Sequence, residues 1–161
     1  MTTRIIRTVI LAGALLATAR PADADVTAFL AATPTPGFHI GRGLAAGAGL
    51  VVVAFEVEAA QILEQTSDGD PGLSTAMANV LVQTPVDISG VQFYGTAGVG
   101  LYRERLDTRQ ETSGAVNLGG GVKIGLVGPL KLRLDYRLVR LQGSPLQQTW
   151  HRFYAGATLG F

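Results

Sequence analysis

The charged residues of this chain recur at intervals of two. Glu56 and Glu58 flank a single valine. In L-K-L-R-L-D-Y-R-L, residues 130–138, Lys131, Arg133, Asp135 and Arg137 alternate with Leu130, Leu132, Leu134, Tyr136 and Leu138. In an extended strand this spacing puts every second side chain on one face. Lys123 and Arg152 fall in similar alternating stretches, and Glu104 lies among polar residues at the end of another. Such a face could line a gated polar path for small solutes. Acids and bases sharing one face have a simpler use, because a buried charge is costly unless an opposite charge meets it. The expected chemistry of Glu56, Glu58, Glu104, Lys123, Lys131, Arg133, Asp135, Arg137 and Arg152 is therefore an ion-paired network.

Other reactive side chains are sparse. His39 and His151 lie beside long connections, Ser144 is close in sequence to His151, and Asp68 and Asp70 share one polar segment. A nucleophile needs an oriented base, and no hydrolase or protease motif surrounds these residues. The Asp68/Asp70 segment lacks the spacing of a calcium loop. G-R-G-L-A-A-G and G-G-G-V-K do not open a helix after a strand, as a phosphate-binding loop must. No catalytic residue, cofactor site or metal site is expected.

The elements that carry these residues begin after a leader. Residues 1–8 hold Arg4 and Arg7 and no acid, residues 9–19 are apolar, and A-D-A at 22–24 fits a cleavage site. That order predicts a signal peptide over 1–24, cut after Ala24. The apolar stretch is too short for a spanning helix of about 20 residues. Without Arg4, Arg7, Arg20 and Asp23, the 13 basic and 12 acidic residues of the chain become 10 and 11, a net charge of −1. No basic patch for nucleic acid remains. There are no cysteines, so an exported domain over 25–161 must hold together without disulfides.

Eight runs with strand character are expected, near 25–32, 43–51, 53–63, 73–84, 91–105, 113–126, 130–142 and 150–161. Long polar connections alternate with tight ones. An even number of antiparallel strands with one loop-rich end produces that order, as in outer-membrane barrels. Two barrels fit the alternation. A soluble lipocalin-like barrel would enclose the Leu/Val face around an apolar ligand, whereas a membrane barrel turns that face toward lipid. The glycines favour the second. Gly43, Gly47, Gly49, Gly98, Gly100, Gly119, Gly121, Gly125, Gly156 and Gly160 share the charged face. Small residues there leave room for long side chains in a narrow lumen, while on a water-facing surface they would only weaken the strands. Eight strands leave little open bore, so a plug of ion pairs is expected rather than a gated polar path. Phe29 has no readable direction. Ala78, Val80 and Val82 are expected outward, with Asn79 and Gln83 inward. Trp150, Phe153 and Tyr102 at one end, and Phe93, Tyr94 and Phe161 at the other, suggest aromatic girdles, with an inward direction open to Tyr94 and Tyr102 as well.

The chain closes on Y-A-G-A-T-L-G-F, residues 154–161. This ending resembles the C-terminal assembly signal of bacterial outer-membrane β-barrel proteins, with Phe161 last, Leu159 two before it, Gly156 in the middle and Tyr154 at the start. The whole of 25–161 resembles the small eight-stranded barrels of the outer-membrane-protein-A and opacity-protein type. The resemblance implies that the barrel assembly machinery reads the final strand, which then joins the first. It implies a monomeric, non-enzymatic cell-envelope protein of a diderm (Gram-negative) bacterium, embedded in outer-membrane lipid. Its role would be structural, surface-interacting through the loops, or minor and porin-like.

Overall fold

The computed structural model describes residues 23–34, 38–62, 72–85, 89–106 and 109–161. Eight strands fill them: β1 (Asp23–Thr33), β2 (His39–Leu50), β3 (Val53–Ile62), β4 (Gly72–Gln83), β5 (Val91–Leu106), β6 (Arg109–Val127), β7 (Leu130–Leu141) and β8 (Thr149–Gly160). Each strand pairs antiparallel with the next, and β8 pairs with β1, so the sheet is a closed barrel. Closure removes the unpaired edges that an open sheet exposes. The described residues contain no helix.

Tight connections gather at one end. Val51 and Val52 turn β2 into β3. Ser89 and Gly90 adopt φ of 55° and 80° before β5, and Gly128 adopts φ 57° before Pro129 and β7. Gly90 and Gly128 tolerate this left-handed region because they lack a Cβ. The ends of the barrel wall meet here too: Ala24 and Phe161 exchange backbone hydrogen bonds of 3.1 and 2.9 Å. β1 thus starts at Asp23, two residues ahead of the expected cut.

Two expected boundaries move at the loop end. β2 begins at His39, four residues early, because Gly41 and Arg42 pair with Ile62 and Gln61. The expected polar loop around 106–112 shrinks to two residues, since β5 and β6 continue upward with Arg103 opposite Thr112 and Arg105 opposite Gln110. The strand pattern was hidden there because residues on both faces are polar.

Side-chain direction follows the period of two. Arg133 is 0 % exposed, whereas the adjacent Leu134 is 41 % exposed. Leu30, Leu44, Phe55, Val57, Val80, Val99, Leu118 and Phe153 all stand outward. So do Ala78 and Val82, with Asn79 buried and Gln83 half-buried. The face that a lipocalin would wrap around an apolar ligand is the outer wall here. Phe29 turns inward and stacks on Tyr154 at 4.4 Å. It fills the gap at Gly43, where an added Cβ would collide with the Phe29 ring.

Candidate functional site

The lumen side chains of β3, β7 and β8 meet at mid-barrel. Glu56 is the hub of one part. It takes a hydrogen bond from Arg133 Nη1, another from Arg137 Nη2 at 2.9 Å and a third from Asn79 Nδ2 at 3.2 Å. Asn117 extends this chain by donating to Asn79 Oδ1 at 2.8 Å. Asp135 accepts from Arg137 Nε at 3.1 Å, from Arg133 Nη2 at 3.3 Å and from the Tyr94 hydroxyl at 2.5 Å. Glu58 pairs with Arg152 Nη2. It also lies 2.7 Å from Arg137 Nη1, close enough for strong attraction though out of line for a hydrogen bond. Tyr154 accepts from Arg137 Nη2 at 2.9 Å, and its ring lies 5.4 Å from the Arg133 guanidinium.

This arrangement follows from the sequence. The spacing of two on β7 sends Arg133, Asp135 and Arg137 inward together, and Glu56 and Glu58 on β3 face them across a narrow lumen. Guanidinium groups suit such a site because their planar forks serve several acceptors at once. Glycine makes the space: a Cβ at Gly119 would sit 2.9 Å from Arg137 Cγ, and one at Gly121 would sit 2.6 Å from the Tyr94 hydroxyl. Burial without this pairing would cost several kcal/mol per ion.

Of the nine charged residues expected inside, Glu56, Glu58, Arg133, Asp135, Arg137 and Arg152 form this network. Lys123 is inward but pairs separately, with Asp25 of β1. Glu104 is buried above the network, where it accepts from the backbone N–H of Leu146 at 2.9 Å and holds the β7–β8 connection. Lys131 is half-buried near the tight-turned end and outside the network. Asp25 and Tyr154 are lumen partners that were not expected, and Tyr94 takes the inward of its two expected directions. Their phase along β1, β5 and β8 was the available signal, but a tyrosine in a barrel strand serves either face.

Above the network the lumen changes character. Ile62, Leu73, Met77, Tyr102, Ala115, Val139, Leu141 and Trp150 pack as a buried apolar cluster. Trp150 is therefore not a girdle residue; its indole turns inward and donates to the Gln147 carbonyl at 3.0 Å. Tyr102 and Tyr94 are also inward, while Phe93, Phe153 and Phe161 stand on the outer wall or its edge. His39 is buried beside Trp150, with ring centroids 6.0 Å apart.

His151 and Ser144 each have a partner elsewhere in the described residues. His151 Nδ1 is 2.8 Å from the Tyr136 hydroxyl on the outer wall. Ser144 lies on the β7–β8 connection, where its backbone N–H donates to Glu111 at 2.6 Å. Asp68 and Asp70 lie outside the described residues, among which no group of three or more His, Asp or Glu could hold a metal ion. In the C-terminal segment, Tyr154 and Gly156 face the lumen, and Leu159 and Phe161 face outward.

No family model matches the chain, and no curated protein matches it in sequence. Solved structures do match. The Neisserial surface protein A aligns with a TM-score of 0.70 at 18 % identity, covering 89 % of this chain and 99 % of that one. The N-terminal β-barrel domain of Pseudomonas aeruginosa OprF aligns with a TM-score of 0.65 at 14 % identity, covering 88 % and 98 %. Ail, the attachment invasion locus protein of Yersinia pestis, aligns with a TM-score of 0.57 at 14 % identity, covering 88 % and 100 %. At these identities the likeness is one of architecture: the chain has the closed eight-stranded antiparallel fold of small outer-membrane barrels.

Proposed function

We propose that this chain is a non-enzymatic integral protein of the bacterial outer membrane, with a barrel plugged at mid-height. One observation carries the reading: at mid-barrel the apolar side chains cover the outer wall and the ion pairs fill the lumen. Water around such a wall would leave a continuous apolar band exposed, far beyond what soluble monomers show. Lipid matches it. Along β5 the outward apolar run from Phe93 to Leu101 covers about 27 Å of strand and, at a tilt of about 40°, about 20 Å of height. A hydrocarbon layer requires this kind of wall and tolerates no open sheet edge.

The plug follows from the bridging of β3 to β7 and β8 across the lumen. The role is structural, or exerted at the cell surface through the loops, rather than conductive. In planar bilayers the wild-type protein should show no steady stepwise conductance; regular unitary steps would restore the pore reading. Outer membranes washed with urea should retain the protein, and its gel mobility should shift on boiling. Extraction by urea or recovery from the periplasm would overturn the membrane assignment.

Two further proposals concern biogenesis. The leader is removed after Ala24, which the mass of the mature chain would report. The assembly machinery engages Tyr154, Gly156, Leu159 and Phe161, so deletion of Phe161 lowers the yield in the outer membrane.

A further inference from the structure

The outer wall of β2–β5, continued onto β6, carries a second pattern. Register partners form rows across it. One row runs Arg42, Gln61, Ser74, Arg103, Thr112. The next row down, two residues along each strand, is Leu44, Ala59, Ala76, Leu101, Gly114, and the one below that is Ala46, Val57, Ala78, Val99, Val116. A fully polar row thus borders fully apolar ones with no mixed row between them. Arg105 stands two residues above Arg103 on the same outward face, about 7 Å away along the strand. Neither arginine has a carboxylate partner among the described residues.

The wall is grooved along this border. An open groove of about 540 Å³ at the loop end includes Arg103, Arg105, Ser74, Thr112 and Gln61 in its lining, with Ala76 and Leu101 at its lower edge. Beneath it a second groove, of about 550 Å³, is lined on its outward side by Ala46, Ala48, Val57, Ala78 and Val99. The alanines between Leu44 and Leu101 lower the wall there, and Ala76 of the upper groove is followed on the outward face of β4 by Ala78 of the lower one. Positive donors at the head and an alkane-lined furrow below complement an anionic amphiphile.

We propose that the β2–β5 wall is a binding site for a phosphate-bearing lipid. Arg103 and Arg105 grip the phosphate oxygens with the hydroxyls of Ser74 and Thr112 beside them, and one acyl chain lies along Ala76, Ala78 and Val99. Guanidinium forks bind phosphate through paired charge-assisted hydrogen bonds. The site rests on the membrane reading above, because the furrow meets an acyl chain only if this wall faces lipid.

The test uses the full-length chain, expressed and processed in cells, then purified in zwitterionic micelles and first shown to be folded by its boiling shift. Loss of that shift in the wild type would count against the membrane reading itself. Titration with fluorescent phosphatidic acid should then saturate, and Arg103→Gln/Arg105→Gln should weaken it by about tenfold or more. Ala76→Trp, which fills the furrow and leaves both arginines, should weaken it as well. Arg140→Gln, on the outer wall of β7, should leave it unchanged. Inorganic phosphate should compete only weakly. Equal binding by the wild type and the double variant would overturn the proposal. So would phosphate competing as well as the lipid with Ala76→Trp silent, since that result describes a site for a free anion.

Discussion

The middle and the loop end of this barrel solve the same packing problem with opposite chemistry. At mid-height the outer wall is apolar and the lumen holds Glu56, Glu58, Arg133, Asp135, Arg137 and Arg152. At the loop end the polarity inverts on the same strands. On β5, Leu101 stands outward below, whereas above it Tyr102 is inward and Arg103 outward. On β7, Leu138 is outward below, while Val139 and Leu141 are inward around the outward Arg140. The lower part is packed inside-out, and on β5 and β7 the upper part is packed like a soluble barrel, whereas at β2 Ile40 and the preceding Phe38 stand outward above Arg42. On the proposed membrane reading, the level of inversion marks where the surroundings of the wall change from hydrocarbon to water. An apolar lumen at the top excludes water from the charges below, which strengthens their attraction.

Variants can break each half of this comparison. The largest effect is expected at Arg137, which touches Glu56, Glu58, Asp135 and Tyr154. Arg137→Ala leaves those acids under-compensated and should cost about 5 kcal/mol, read as a lower urea midpoint for unfolding from lipid vesicles. An unchanged midpoint would mean that the network is not a structural plug. Trp150→Ala removes the largest side chain of the apolar cap and should cost about 4 kcal/mol. It should also raise proton–deuteron exchange in the β7–β8 connection more than in β3; a uniform rise would mean that the cap and the plug are one unit.

On the outer wall the sign of a change should depend on height. Leu134→Arg, or Leu132→Arg, places a charge on the apolar band and should cost about 3 kcal/mol, with loss of membrane assembly. Either variant assembling like the wild type would contradict a lipid-facing wall. Arg140→Leu, above the inversion, should change stability by less than about 0.5 kcal/mol. A cost as large as that of Leu134→Arg would erase the distinction.

The barrel was legible in the sequence because period two is strong wherever the faces differ in polarity. L-K-L-R-L-D-Y-R-L states the direction of every side chain in the lower half of β7. The upper half was not legible by the same rule. Leu73, Val139, Leu141 and Trp150 keep the inward phase of their strands but are apolar, so a reading that equates apolar with outward misassigns Trp150. The extension of β5 and β6 was hidden for a related reason: R-L-D-T-R-Q-E-T has no polarity contrast to show a strand. Within the network, Glu56 with Arg133 and Arg137 could be anticipated from shared phase. Asp25, outside that network, could not, because Phe29 puts a large apolar side chain in the same phase as Asp25 and Thr27 and blurs the contrast along β1.

The inversion can be measured directly. The chain has no cysteine of its own, so single cysteines placed at 97, 99, 101, 103 and 105 along the outer face of β5 report their surroundings without interference. In lipid vesicles, a membrane-impermeant maleimide should label Arg103→Cys and Arg105→Cys rapidly and leave Ala97→Cys, Val99→Cys and Leu101→Cys unreacted until the protein is unfolded. All five labelling at similar rates would mean that the apolar wall faces water, and the account of an inside-out lower barrel would fail.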